Sequence, residues 1–351
     1  MLYLPQRSRS LGLSVALVVA LLSSCSPGAV RESPRPPAAQ QPNARAAADV
    51  TPAASRIQAR IGLPSGTRSV TFGDRSIWIS NPAERSVSRL DSRTGEVVRS
   101  PIALDFEPWE IMYGAQALWV CSADRTRLVR IDPRTHTVVA TIDLRALSLP
   151  TTDRLLLAAD KRTLWLTTQT TVFQIDPGTN RIVGQPLQVG EEIIAAAVGH
   201  GSLWTGSHDD GIVARIDSTT RRVVTTIDVG FAVHGLAVSE ESAWVLDEHG
   251  FAVVRIDPQS NRLGERIPID FVAANLTAGS RSVWVAPAAR DSGQATGNDG
   301  VLRIGEAEQR AVETIHVGEA ATSQYYALFS AEGAAWVWID APEQTLVQIA
   351  P

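Results

Sequence analysis

Seven evenly spaced positions of the chain carry side chains that could form a ligand site. Each lies ten residues before one of seven recurring tryptophans, and in chain order they are Arg68, Trp109, Leu155, Ile194, His234, Ala274 and Tyr326. Four of them are a cation, two aromatics and a titratable ring, where packing alone favours small or aliphatic residues. A guanidinium binds anions, an aromatic face stacks on flat or apolar groups, and an imidazole exchanges protons near neutral pH.

If these positions are structurally equivalent, they surround one opening. We predict a pocket walled by Trp109 and Tyr326, in which Arg68 faces an anionic or polar group of a ligand. Loops beside the opening are expected to add Glu110 and His208 to the binding residues. Further acidic and histidine side chains nearby are Glu107, Glu192, Asp209, Asp210, Asp247, Glu248 and His249. The alternative is a solvated rim whose side chains share no ligand.

The tryptophans indicate which elements would position these residues. They recur at spacings of 39 to 52 residues, as Trp78, Trp119, Trp165, Trp204, Trp244, Trp284 and Trp336. This period is typical of the four-stranded blades of a β-propeller. Short segments rich in Val and Ile, bounded by turn residues and without a helical period, agree with that assignment. Since the first strand of each propeller blade lines the central channel, the seven positions should lie at its mouth.

A second repeated segment marks the turn after the third strand of a blade. It reads Asp91-Ser-Arg-Thr94, Asp132-Pro-Arg-Thr135, Asp176-Pro-Gly-Thr179, Asp217-Ser-Thr-Thr220 and Asp257-Pro-Gln-Ser260. The leading aspartate is predicted to accept hydrogen bonds from backbone amides two residues further on. In three blades an arginine precedes it in Arg-Ile-Asp, and we expect the arginine stem to cover a half-exposed face.

The two ends of the repeated region complement each other. Residues 57–62 match a fourth strand with no blade before it, whereas residues 345–349 match a third strand with no fourth strand after it. We therefore predict an all-β fold over residues 56–351. It is a seven-bladed β-propeller closed by an N-terminal strand that completes the last blade, which removes open sheet edges.

The first 25 residues have the features of an export signal. Arg7 and Arg9 precede an apolar stretch from Leu11 to Leu22. At about 1.5 Å per residue this stretch is too short to cross a hydrocarbon core of roughly 30 Å. It ends in Leu-Ser-Ser-Cys25, which resembles a bacterial lipobox. We expect acylated Cys25 to anchor the protein in the bilayer of the cell envelope, at the outer membrane in a Gram-negative organism; the alternative is an ordinary signal peptide.

The composition of the chain limits which structures, partners and reactions are possible for it. Residues 26–55 are rich in Pro and Ala, and they are predicted to form a disordered tether. The formal net charge of −5 disfavours nucleic acid as a partner. With Cys25 acylated, Cys121 has no disulfide partner and is expected to be a buried, unreactive thiol. Motifs of serine hydrolases, zinc proteases and phosphate-binding loops are absent from the sequence.

The chain resembles the streptogramin (virginiamycin B) lyases and related seven-bladed propellers. The resemblance is carried by Val-Gly-x-x-x-His-Gly-Leu-Ala at 229–237 and Gly-Ser-Leu-Trp at 201–204. Enzymes of this family open a cyclic antibiotic ester by elimination, with a histidine, an acidic residue and Mg²⁺. The resemblance implies His234 as the catalytic base and Asp247 as the acidic residue and metal ligand. Valine replaces the family's proline before His234, and the other six ring positions carry no histidine.

These observations favour a binding protein over an enzyme. We predict an exported, membrane-anchored propeller that binds a small molecule or an envelope protein at its mouth, without a required cofactor. A lyase-like elimination enzyme that uses Mg²⁺ is the first alternative. A scaffold subunit of an outer-membrane assembly is the second.

Overall fold

The computed structural model of this chain describes residues 56–147, 149, 155–247, 251–288, 300–317, 326–339 and 343–350, with Tyr326 described by its backbone only. The predicted export signal, Cys25 and the tether lie outside the described residues, as do Glu248 and His249. Among the described residues, no helix has the length and apolar character needed to span a membrane.

Short Val- and Ile-rich segments bounded by turns form strands throughout the described chain, apart from one 3₁₀ turn at Arg145–Leu147. In chain order the strands are β1 (Ile57–Gly62), β2 (Ser69–Gly73), β3 (Ser76–Asn81), β4 (Ser86–Asp91), β5 (Val97–Ala103), β6 (Pro108–Gly114), β7 (Ala117–Ser122), β8 (Arg127–Asp132), β9 (Thr137–Asp143), β10 (Leu156–Ala159), β11 (Leu164–Thr167), β12 (Thr171–Asp176), β13 (Arg181–Gln188), β14 (Ile193–Gly199), β15 (Ser202–Ser207), β16 (Ile212–Asp217), β17 (Val223–Asp228), β18 (Val233–Val238), β19 (Ala243–Asp247), β20 (Ala252–Asp257), β21 (Arg262–Pro268), β22 (Ala273–Gly279), β23 (Ser282–Pro287), β24 (Gly300–Gly305), β25 (Arg310–His316), β26 (Tyr326–Ala331), β27 (Ala334–Ile339) and β28 (Thr345–Ile349).

These strands form seven antiparallel four-stranded sheets, the blades of a propeller. Consecutive groups of four, from β2–β5 to β22–β25, make blades one to six, and the first strand of each group lies innermost. The seventh blade has the order β1-β28-β27-β26, so its outer strand comes from the other end of the folded chain. At that junction Ala350 N donates to Arg56 O at 2.8 Å, and Leu63 N donates to Gln344 O at 2.8 Å. The predicted all-β, seven-bladed architecture is confirmed.

The repeated tryptophans are buried between neighbouring blades. Each of the seven is at most 1% exposed. In the described part of the chain, seven clusters of buried hydrophobic residues each combine two adjacent blades. The cluster that contains Trp336 of blade seven also contains Ile77 and Ile79 of blade one, which closes the ring. Burial of these large side chains is therefore the main source of blade-to-blade cohesion.

Glycines at the ends of inner strands allow the blades to converge. Trp78 Nε1 donates to Gly73 O at 3.3 Å, and Trp119 and Trp204 make the same bond to the glycine five residues before them. A Cβ added at Gly73 would lie 1.9 Å from Cδ1 of Tyr113 in the next blade. No side chain fits at this position, because the inner strands approach each other too closely near the axis.

The repeated arginine of the third strand joins adjacent blades. Arg215 lies over Trp204 of its own blade, with Cζ 4.8 Å from the ring centroid, and its Nη1 donates to Pro258 O of the next blade. Arg89 and Arg130 make the equivalent two contacts in blades one and two. The expected coverage by the arginine stem is thus accompanied by a hydrogen bond that links neighbouring blades.

The turn after the third strand has the predicted aspartate contact. The amides of Thr219 and Thr220 donate to Oδ1 of Asp217 at 3.0 and 2.6 Å. These bonds, led by the one from Thr220, lower the pKa of Asp217 because they stabilise its charged form. The equivalent aspartates 91, 132, 176 and 257 accept the same kind of bond, so the turn is kept in shape by its own carboxylate.

Candidate functional site

The seven innermost strands surround a central cavity of about 390 Å³. In every blade, the residues that line it begin immediately after one of the seven ring positions identified in the sequence. The first lining residues are Ser69, Glu110, Leu156, Ala195, Gly235, Asn275 and Ala327. The ring positions themselves are not among the lining residues, but they border one end of the cavity, which we call the mouth. Tyr326 begins β26 there, but its side chain lies outside the described part.

Four of the seven ring positions fall on β-bulges. The pairing register shifts between Pro108 and Ile111, and one-residue shifts occur around Ile194, His234 and Ala274. A bulge adds an unpaired residue to one strand and redirects its side chain, which is why bulges occur beside functional sites. The bulge in β6 carries both Trp109 and Glu110, so Glu110 belongs to the strand and not to the adjacent loop in which it was expected.

Arg68 and Trp109 form one unit at the mouth. The Cζ atom of Arg68 lies 3.8 Å from the centroid of the Trp109 ring. Ser80 positions both backbones, since its carbonyl accepts from Arg68 N at 2.9 Å and its hydroxyl donates to Trp109 O at 3.1 Å. A guanidinium stacked on an indole keeps its charge while losing rotational freedom. The structure thus brings together the cation and one of the two aromatic walls predicted from the sequence.

Glu110 is a buried carboxylic acid in the cavity wall. It is 4% exposed, and its Oε2 atom has no hydrogen-bond partner among the described residues. Burial raises the pKa of Glu110 to about 8, although Arg68 and the hydroxyl of Ser69 act in the opposite direction. At neutral pH the group is therefore protonated. It can donate a hydrogen bond from an oxygen that faces no partner in the protein.

His234 and Asp247 lie on neighbouring strands of blade five. His234 is 6% exposed, and Val233 beside it pairs with Asp247. Asp247 ends β19 and is 2% exposed, although the sequence had suggested a loop. Its Oδ2 atom accepts from Nη2 of Arg266 at 2.5 Å.

The surroundings of Asp247 do not supply the ligands that Mg²⁺ requires. Mg²⁺ prefers several oxygen ligands in octahedral geometry. Among the described residues, Asp247 belongs to no group of three potential metal ligands, and its carboxylate is already held by Arg266. The described residues therefore do not fit the metal that the resemblance implied, and no chemical step is assigned to it.

His208 lies in a separate, more exposed cluster of blade four. Its Nδ1 is 3.1 Å from Oδ1 of Asp209 and 3.6 Å from Oε2 of Glu192. The hydrogen bond from His208 is the largest cause of the lowered pKa of Asp209. None of these three residues lines the cavity. The structure consequently does not bring His208 together with Glu110 in one cavity wall.

The predicted inert thiol is found in the core. Cys121 on β7 is 1% exposed and forms no disulfide. Burial raises its pKa to about 12, with a further contribution from Glu110. A thiol with that pKa supplies no thiolate at neutral pH, and so it is not a nucleophile.

The fold and the mouth define a seven-bladed β-propeller with an axial cavity that holds a buried acid. Solved structures with a similar fold include a streptogramin B lyase, with a TM-score of 0.61 at 12% identity, covering 84% of this chain and 98% of that one. Virginiamycin B lyase from Staphylococcus aureus gives a TM-score of 0.61 at 13% identity, covering 84% and 99%. BamB from Moraxella catarrhalis gives 0.57 at 14%, covering 86% and 96%.

These likenesses establish the fold. No protein-family model matches the chain, and no curated protein sequence matches it. At 12 to 14% identity the likenesses do not carry activity across, since one fold supports many functions. Functional conclusions therefore depend on the residues at the mouth.

Proposed function

We propose that this protein is an exported, lipid-anchored β-propeller that binds a ligand at the mouth of its axial cavity. The observation that carries the binding role is the buried Glu110, which lines the cavity and whose Oε2 atom has no hydrogen-bond partner among the described residues. Leaving a buried polar atom unpaired costs about 1–3 kcal/mol, and a ligand that supplies the partner removes that cost. Arg68 stacked on Trp109 adds a fixed charge and a flat surface beside it.

Crystals soaked with a library of small polar and apolar fragments test the binding role. We expect density between Arg68 and Glu110 at the mouth. Trp109→Ala should weaken the binding of every such fragment in solution. Arg85→Ala is the matched control, because Arg85 is an exposed residue near the same face whose nearest carboxylate, Glu107, is 3.8 Å away. Electron density for fragments found only on other surfaces would contradict the proposed binding at the mouth.

The anchoring part of the proposal rests on the sequence around Cys25. Growth with an alkyne-tagged fatty acid should label the wild-type protein and place it in the membrane fraction. Cys25→Ser should lose both the label and the membrane association. Cys121→Ala is the control for thiol labelling, since Cys121 is buried. Labelling that persists in Cys25→Ser would contradict the assignment.

A lyase activity is the second candidate, and the position of His234 favours it. His234 sits at a bulge at the mouth of the cavity, where an imidazole could remove a proton next to a substrate carbonyl. The test is incubation of the purified protein with a type B streptogramin and Mg²⁺, beside the His234→Ala variant. Ring opening by the wild type alone would support this role, and an intact antibiotic in both samples would end it.

A further inference from the structure

The cavity wall is polar on one side and apolar on the other. Among the described residues, blades three, four and five contribute no polar side chain to it, and their lining residues are Leu156, Leu157, Ala195, Ala196, Gly235 and Leu236. Every polar side chain of the lining comes from the four remaining blades, which are contiguous around the ring. A molecule that fills this space therefore needs one apolar part and one part that forms hydrogen bonds.

Two polar groups near Glu110 already have partners within the protein. Ser69 Oγ accepts from Ile111 N at 3.4 Å, and Thr71 Oγ1 accepts from Tyr113 N at 3.1 Å. These hydroxyls satisfy amides at the inner edge of β6 and so serve the structure. The Oε2 atom of Glu110 differs from them, because no described residue gives it a partner. It is the polar atom of this wall that a ligand would satisfy.

The charged groups around Glu110 determine whether that ligand is an anion or a cation. Four strands pack against β6, namely β2, β3, β7 and β10. The only titratable side chain of these four strands that could face Glu110 is Cys121. The pKa of this thiol is about 12, so it is neutral. Arg68, which precedes β2, is the charged group that acts on Glu110. Because Glu110 is protonated, it does not offset the positive charge of Arg68 beside it, and this charge attracts anions and repels amines.

We propose that the ligand is a small carboxylic acid with an apolar chain. Its carboxylate lies between the guanidinium of Arg68 and the Oε2–H of Glu110, and its chain extends along the apolar wall of blades three to five. A carboxylate accepts both donors, and such charge-assisted hydrogen bonds are stronger than neutral ones. This inference rests on the proposed function and specifies the chemical class that the mouth binds.

Proton linkage gives the site a pH dependence with a definite sign. The proton on Glu110 is a donor to the ligand, and it is lost as the pH rises through its pKa of about 8. Affinity for a carboxylate should therefore be constant from about pH 6 to about pH 8. Above that range it should fall by about tenfold per pH unit, because the protonated fraction falls by that factor.

Isothermal titration of the purified full-length chain between pH 6 and pH 9.5 tests the inference, with octanoate, octanamide and octylamine as probes. We expect saturable binding of octanoate. The neutral octanamide and the cationic octylamine should both bind more weakly. Glu110→Gln should keep octanoate binding at pH 6 and lose the decline above pH 8, since an amide still donates. Arg68→Met should weaken octanoate binding by at least tenfold, and Arg85→Met should leave it unchanged. Thermal melts verify that each variant is folded.

Each contrary result has a distinct meaning. Equal or tighter binding of octylamine or octanamide would overturn the choice of an acid while leaving the mouth as a binding site. Octanoate affinity that is unchanged in Arg68→Met, or a decline above pH 8 that persists in Glu110→Gln, would place the acid elsewhere. If none of the three probes binds, the inference is wrong, and the crystal soaks decide separately whether the mouth binds other ligands.

Discussion

Two carboxylates of this protein show how local surroundings determine the chemistry of one residue type. Asp217 is exposed in a turn and accepts backbone amide bonds, which lower its pKa. Glu110 is buried beside apolar leucines, and loss of hydration raises its pKa to about 8. Desolvation exceeds the attraction of Arg68 in the second case, whereas hydrogen bonds exceed desolvation in the first. Of these two side chains, Glu110 alone is therefore an acid that exchanges its proton near neutral pH.

The raised pKa of Glu110 makes stability depend on pH. An unfolded glutamate loses its proton near pH 4.5, whereas the folded protein holds it to about pH 8. The native state binds more protons in between, so the free energy of unfolding should fall as the pH rises from about 5 to about 8. The slope contributed by Glu110 is at most about 1.4 kcal/mol per pH unit.

Urea titrations at pH 5, 6, 7 and 8 measure this contribution. Glu110→Gln, which cannot ionise, should show a flatter dependence and should be more stable than the wild type at pH 8. Glu107→Gln is the control, since Glu107 is exposed on the same face, and it should keep the wild-type slope. Superimposable slopes for Glu110→Gln and the wild type would disprove the pKa assignment.

Substitution of Trp244 tests the packing role of a single repeated indole. It is fully buried in the cluster that joins blades five and six. Trp244→Ala should lower the free energy of unfolding by about 3–5 kcal/mol, because a large cavity remains. Phe251→Ala is the comparison, since Phe251 is 43% exposed and should cost much less. Denaturant titration separates the two, and equal midpoints for both variants would count against the interface role.

At the scale of elements, local signals predicted most strands of blade five. The apolar runs at 234–238, 243–246 and 252–256 predict strands, and the strands are observed at Val233–Val238, Ala243–Asp247 and Ala252–Asp257. Apolar alternation and turn residues are local properties, and so they can be read without the fold. The equal spacing from the tryptophans also located one end of the cavity, because in every blade the first lining residue lies nine residues before the tryptophan.

Features that depend on contacts between strands could not be predicted in this way. The bulge that turns Glu110 into the cavity arises from the pairing of β6 with β7. Its protonation depends on burial beside other blades and on Arg68 from blade one. Asp247 was likewise assigned to a loop, since nothing local indicates its bond to Arg266. The positions beside the cavity could thus be read from the sequence, but the protonation of Glu110 could not.

The arginine contact between blades gives a prediction for the third strands. Arg215→Met removes the guanidinium over Trp204 and its bonds to Pro258 and Asn261 of the next blade, together with those to Ser202 and His200 of its own blade. We expect a loss of about 1.5–3 kcal/mol, the usual range for a charged hydrogen-bond donor. Arg222→Met is the matched control, as Arg222 is exposed. Equal thermal midpoints for the two variants would show that the bond does not stabilise the ring.

At the scale of the whole molecule, the ring depends on one non-local sheet. β1 pairs with β28 along its length, and Glu313 accepts a further bond from Arg56 at 2.9 Å. A chain that begins at residue 63 lacks β1 and exposes the edge of β28, whereas a chain that begins at residue 56 keeps both. We expect the shorter chain to melt at a lower temperature and to associate at high concentration. Equally stable monomers, compared by calorimetry and light scattering, would contradict this.

The place of β1 also determines how the propeller can be held. β1 is the outermost strand of its sheet, so residue 56 lies at the circumference, far from the axis. Residue 56 is therefore the point at which the described propeller joins the preceding chain. A connection to a surface would therefore hold the propeller at its circumference. Both ends of its central axis would stay accessible as the propeller tilts.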